Sequence, residues 1–224
     1  MDGKPSQAKY RLKEMDQILV IPMPSKIPPE LIPEPIPLKI VYEDETLIVV
    51  DKQAGIVVHP GAGNWQGTLA NALLYHFGEI SHINTVRPGI VHRLDKLTSG
   101  ILVVAKNERA HELLAQQFRR REVEKRYLVL VYGQLSEPKG TIDIALGRHP
   151  RLRTRISTES RRTRNAITHY RVIRRYADFS YLQVIPLTGR THQIRVHFQY
   201  LGNPVVGDET YGRKALQNLD CGLQ

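Results

Sequence analysis

Two apolar segments, LKIVY (residues 38–42) and LIVVD (residues 47–51), are separated only by the turn residues EDET. So short a connection closes a β-hairpin. It cannot carry the crossover of roughly a dozen residues that a parallel strand pair needs. Further strand-like runs follow: GILVVAK, RYLVLVYG, TIDIAL, AITHYRVI and SYLQVIPL, several of them joined by short connections. Helical signals are fewer. Thr68 caps GTLANALLYHF, and Asn107 opens ERAHELLAQQFRRR with Ala110, Leu113, Leu114 and Phe118 on one face. RTHQIRVHFQYLG closes at Gly202. Strands outnumber helices, so the expected class is α+β: a mixed, largely antiparallel central sheet with flanking helices.

The chain has 224 residues, enough for a core without staples. Residues 22–37, PMPSKIPPELIPEPIP, read as an extended, semi-rigid linker because proline fixes φ and lacks a backbone donor. Residues 1–21 are then a separate short piece, and residues 38–224 the main domain. The single cysteine, Cys221, excludes a disulfide framework and a cysteine-built zinc site. The first residues have no apolar core of a secretory signal, and no apolar run reaches the ~20 residues of a membrane helix. A cytoplasmic protein without membrane contact is expected.

The formal net charge is +10, with arginines clustered at residues 119–121 and 161–162. A surplus of this kind is the footprint of a polyanionic partner, although charge alone does not separate DNA from RNA. The familiar cofactor motifs are missing. The glycines of GAGNWQG are wrongly spaced for a dinucleotide fingerprint, and no GxxxxGK[ST] loop occurs. His192 and His197 lack the spacing of a zinc-binding helix, and Ser99 lacks the glycines of a nucleophile elbow. What remains is Asp95 in GIVHRLDKLTSG, with a second dense stretch, PLTGRTHQIRVHF.

HRLDKLTSGILVVAKN and GRTHQIRVH together resemble the RluA family of pseudouridine synthases, in particular its RluD-type branch. IVYEDETLIVVDKQAGIVVHP, EKRYLVLVYG and YLGNPVVGDETYG support the resemblance, which spans about residues 38–213. YRLKEMDQILVIPMP also resembles the end of an S4-type RNA-binding module, so residues 1–21 read as its remnant. The resemblance implies isomerisation of uridine to pseudouridine in RNA, without cofactor or metal. Large-subunit ribosomal RNA is the expected partner, with transfer RNA as the alternative, and the expected state is a monomer. A catalytically weak or inactive RNA-binding protein on the same scaffold is the second reading.

By the same resemblance Asp95 is the catalytic carboxylate, as nucleophile or as base at C2′. Arg195 is its cationic partner, and Tyr127 stacks on the target base. Burial alone neutralises a carboxylate, and a fixed guanidinium reverses that while orienting the oxygens. Outside the motif, a strand tyrosine is ordinary core and a helix arginine an ordinary surface residue. Arg93 is expected to reach into the gap left by a flipped uridine, the alternatives being a phosphate contact or a structural pair with Asp95. His92 bonds either a phosphate or the backbone. Gly100 allows close backbone packing. Arg190, with Gly189 and Thr191, places a helix N-terminus near phosphate or carboxylate. Arg119, Arg120, Arg121, Arg161 and Arg162 are the remaining RNA contacts. From residue 212 the chain reads GRKALQNLDCGLQ where the family continues into an LHA motif and a final strand. An uncovered sheet edge is therefore expected, and with it a monomer prone to self-associate or lose stability at high concentration.

Overall fold

The computed structural model describes residues 10–11, 14–16, 30–61, 64–78, 87–152 and 154–212. The chain divides into Met1–Glu30 and Leu31–Gln224. Most of the expected S4-like remnant, the first part of the proline-rich segment and the ending beyond residue 212 lie outside the described residues.

In chain order the elements are β1 (Ile40–Glu43), β2 (Leu47–Lys52), α1 (Leu69–Phe77), β3 (Gly100–Ala105), α2 (Glu108–Arg120), β4 (Tyr127–Tyr132) and β5 (Lys139–Asp143). Then come β6 (Leu146–Arg148), β7 (Ile156–Ser157), β8 (Thr163–Arg164), β9 (Ile167–Arg175), β10 (Phe179–Pro186) and α3 (Gln193–Tyr200). The α+β expectation holds. Among the described residues the strands form three sheets, ordered β1-β2-β3, β4-β10-β9-β5 and β7-β6-β8. Every strand pairing within them is antiparallel. The EDET turn closes the first hairpin because Asp44 Oδ1 accepts the backbone N–H groups of Thr46 and Leu47.

Both long sheets alternate as half-buried strands should. β2 turns Ile48, Val50 and Lys52 inward, and β10 turns Ser180, Leu182, Val184 and Pro186 inward. One core gathers Ile48, Val50, Leu69, Leu73, Leu102 and Val104, the other Val129, Val131, Leu182, Val184 and Phe198. Tyr127, at the start of β4, packs against both.

The helix caps follow the sequence: Thr68 and Asn71 form a reciprocal capping box, and Asn107 accepts from Ala110 N–H. One expectation for α2 fails. Leu113 is 51% exposed, whereas Ala110, Leu114 and Phe118 are half-buried. At about 100° per residue, the face centred on Ala110, Leu114 and Phe118 takes in His111 and leaves Leu113 on its flank.

Residues 31–37 are not a free spacer. Leu31 is buried in the first core, and Asn71 Nδ2 donates to Ile32 O at 2.8 Å. Glu34 accepts the Gly67 N–H and donates its own N–H to Asn71 O. Proline-rich backbone still offers carbonyls, and buried Asn71 uses one. Nor is the outer edge of β4 bare. Val131 bridges Val205, Tyr132 N–H donates to Pro204 O, and Val206 N–H donates to Leu130 O.

Candidate active site

Asp95 lies in an irregular stretch running beside β3. Gly89 sits at φ 64°, where a Cβ would come within 2.1 Å of Ala105 O, so only glycine fits. This close approach lets Gly89 O accept the Ala105 N–H and brings the following residues along the sheet. After Asp95 the chain turns, with Thr98 N–H donating to Asp95 O, and enters β3 at Gly100. The expectation of close packing at Gly100 is corrected: a Cβ there would meet nothing within 4 Å, and its φ of 128° is what requires glycine.

Below this turn lies Lys52, only 2% exposed. Its Nζ donates to the carbonyls of Gln53, Ile56 and Lys96 at 2.9, 2.9 and 3.2 Å. The ammonium thus ties the loop after β2 to the residue following Asp95. Burial lowers its pKa from 10.5 to about 8, and the negative charge of Asp95 opposes that shift in part.

The second half of the site comes from α3. Gln193 and His197, one turn apart on the buried face, clamp the helix to β9. Gln193 Nε2 donates to Ile167 O and Thr168 Oγ1, while its Oε1 accepts from Thr188 Oγ1 and Arg190 N–H. His197 is fully buried between Thr168 Oγ1 and Ile144 O. With that face fixed, Arg195 points away from the clamp and toward Asp95.

Arg195 Nη1 lies 3.2 Å from Asp95 Oδ2. Its other edge is gripped by Asp208, with Nε to Oδ2 at 2.7 Å and Nη2 to Oδ1 at 2.8 Å. Burial works against the charged guanidinium, but the hydrogen bonds and charge of Asp208, then those of Asp95, hold its pKa above the usual arginine value. Burial likewise works against an ionised Asp208. Arg195 and the N–H groups of Tyr211 and Thr210 outweigh it and keep that carboxyl below its ordinary value. The two acids differ in access: the Asp95 side chain is 21% exposed and that of Asp208 3%. Of the two, Asp95 is the one open to solvent.

Tyr211 completes the cage. The Arg195 guanidinium lies 4.9 Å from its ring centre. Its hydroxyl accepts the Ile156 N–H at 2.8 Å and bonds His192 Nδ1 at 2.8 Å. His192, in the left-handed region at φ 54°, brings Nε2 to 3.9 Å from Asp95 Oδ2. Burial first, and then the charge of Asp95, push the Tyr127 hydroxyl above its ordinary pKa.

Asp95 and Arg195 are therefore paired, and Tyr127 lies within reach of the Asp95 charge. The other expected residues divide. Arg93 is exposed beside them, and its charge acts on His192. His92 takes the backbone option: Nε2 accepts the Val103 N–H at 2.9 Å, the ring stacks on Phe118, and burial lowers its pKa to about 4. Arg190 braces Asn165 O through Nε. Arg119, Arg120 and Arg121 are exposed at the end of α2, and Arg161 and Arg162 are exposed between β7 and β8. Lys52, His192, Gln193, His197, Asp208 and Tyr211 received no role from sequence. The usable signal for the last two was their place in GDETYG, beside the expected arginine motif.

A family profile described as RNA pseudouridylate synthase matches residues 46–200. The chain belongs to that family. Its RluD-type character within the RluA group is borne out by ribosomal large subunit pseudouridine synthase D of Nitrosomonas europaea, 52% identical over 180 residues, 80% of this chain and 51% of that protein. An uncharacterized RNA pseudouridine synthase of Chlorobaculum parvum is 48% identical over 219 residues, 95% of this chain and 66% of the relative. The uncharacterized synthase YlyB of Bacillus subtilis is 44% identical, over 95% of this chain and 70% of the relative. The chain thus spans about two thirds or less of the length of most of these relatives. Among solved structures, human RNA pseudouridylate synthase domain containing 1 superposes with a TM-score of 0.67 at 33% identity, covering 80% of this chain and 71% of that one.

Proposed function

We propose that this chain converts uridine to pseudouridine within structured RNA, with large-subunit ribosomal RNA as the substrate class and Asp95 as the catalytic carboxylate. One observation carries the reading. The accessible acid of the RluA-type motif is oriented by an arginine that a second, buried acid already holds through two bonds.

The reaction breaks C1′–N1 and forms C1′–C5. The C5 proton leaves and N1 gains one, so the product is an isomer. Attack by Asp95 on C1′ and removal of the C2′ proton both use a carboxylate oxygen, which Arg195 orients without sealing it from substrate. A uridine inside a helix cannot reach Asp95, so the base flips out. Tyr127 supplies a ring to stack on it, and the exposed Arg93 enters the vacated place. The exposed arginines of α2 and of the β7–β8 turn hold phosphates.

The test uses RNA carrying tritium at uridine C5, because closing the new bond releases that label. The wild-type chain releases tritium, and Asp95→Asn binds the RNA with unchanged affinity but releases none. RNA binding without release by the wild-type chain would instead make it a non-catalytic RNA-binding protein on this scaffold. Full release by Asp95→Asn would remove Asp95 from the chemistry.

A further inference from the structure

The sheet β4-β10-β9-β5 has a second face. Tyr127 and Val129 on β4, with Leu182 and Val184 on β10, belong to the face that meets the core and α3. Residues of opposite parity look the other way. There an open groove of about 420 Å³ crosses three strands. Its lining forms two cross-strand rows. Gln183 pairs with Arg171, which pairs with Lys139; Ile185 pairs with His169, which pairs with Thr141. Thr141 Oγ1 and His169 Nδ1 bond at 2.8 Å and fix the imidazole.

The first row is unusual. Lys139 and Arg171 stand directly opposite in an antiparallel ladder, where like charges repel. No carboxylate is among the residues that line the groove. A cation pair kept in register beside amide, hydroxyl and imidazole groups matches an anion that brings its own negative charge. The apolar side of Ile185 gives a sugar or base edge something to lie against.

We propose that this groove is a second RNA-binding surface, on the reverse of the sheet from Asp95, and that it takes the phosphate backbone of an RNA segment remote from the target uridine. The proposal rests on the reading of the chain as an RNA-modifying protein. Because the groove lies on the other face, an RNA seated at Asp95 must pass round the sheet to reach it. Short RNAs engage the site alone, and long structured RNAs engage both.

The test compares the full chain with Lys139→Gln/Arg171→Gln, both positions being exposed and outside the site. The probes are a transcribed large-subunit ribosomal RNA domain and a short stem-loop containing one uridine target, both tritiated at uridine C5. With the long RNA, the plot of log affinity against log salt becomes shallower by about 1.4–1.8 in the double variant, the value for two lost phosphate contacts. With the stem-loop the slope is unchanged, and turnover at saturating RNA is unchanged for both probes. A slope that does not move with the long RNA overturns the proposal. So does an equal change with both probes, which would put these residues in the site cleft. If poly-glutamate binding falls in the variant while RNA binding does not, the groove belongs to an acidic protein and the proposal fails. A shallower slope with long RNA, in a chain that releases no tritium, keeps the groove and discards the catalytic reading.

Discussion

Lys52→Met tests whether a buried cation organises the loop that carries Asp95. The substitution keeps length and apolar volume and removes the donor to three carbonyls. Lys96 O keeps the Gly55 N–H, so two carbonyls are left without a partner, and at about 1–3 kcal/mol each they cost about 2–6 kcal/mol. Against this, the wild-type chain holds an ammonium whose pKa is about 8 instead of 10.5. That difference corresponds to about 3 kcal/mol against the charged form at neutral pH. Methionine escapes that penalty, so the expected net loss at pH 7 is centred near about 1 kcal/mol, roughly a 2–4 °C fall in Tm for a chain of this size. The pH dependence is the sharper readout. Between about pH 8 and pH 10.5 the unfolded lysine keeps its proton while the folded one has released it. Wild-type stability therefore gains on the variant as pH rises through that window, by up to about 3 kcal/mol. Urea unfolding at several pH values from 7 to 10 measures the gap. Parallel curves for the two proteins would refute the assignment of Lys52 as a buried, desolvated cation.

Two other expectations concern the site itself. Asp208→Asn removes the charge that holds Arg195; it should cost about 3–5 kcal/mol of stability and lower tritium release about 100-fold while RNA affinity stays level. Thermal unfolding and single-turnover assays check it, and full turnover would show that Asp95 alone suffices to place the guanidinium. Tyr127→Phe keeps the ring and should retain RNA affinity and most turnover. Tyr127→Ala should lose about 1–3 kcal/mol of productive base binding, and equal, near-complete loss in both folded variants would assign the hydroxyl to the chemistry.

Local patterns carried much of the fold into view from sequence. The EDET turn, the Thr68 and Asn107 caps and the alternation in β2 and β10 each depend on neighbours within a few residues. Leu113 was misplaced because several apolar residues share a broad helix face, and only the sheet beneath decides where its centre falls. The docking of residues 31–37 depends on Asn71, distant along the chain, so proline content alone reads as a spacer. In the site, Asp95 and Arg195 were legible only through their motifs. The bond between them joins residues 100 positions apart, beyond any local pattern. Lys52 reads in sequence as a charge ending a strand, and nothing there shows that three carbonyls converge on it. Asp208 reads as a turn acid, because only the folded α3 turns Arg195 toward it.

The segment that covers the edge of β4 leads directly into Asp208 and Tyr211. Residues 204–206 bond the strand, and a few residues later the same chain grips Arg195 and holds His192. If this flank peels from the strand, the clamp on the guanidinium leaves with it while the remaining strand pairings stay formed. The placing of Arg195 beside Asp95 is then a property of this edge of the sheet and not of its core. A chain of this design can be folded by every spectroscopic measure and still be idle.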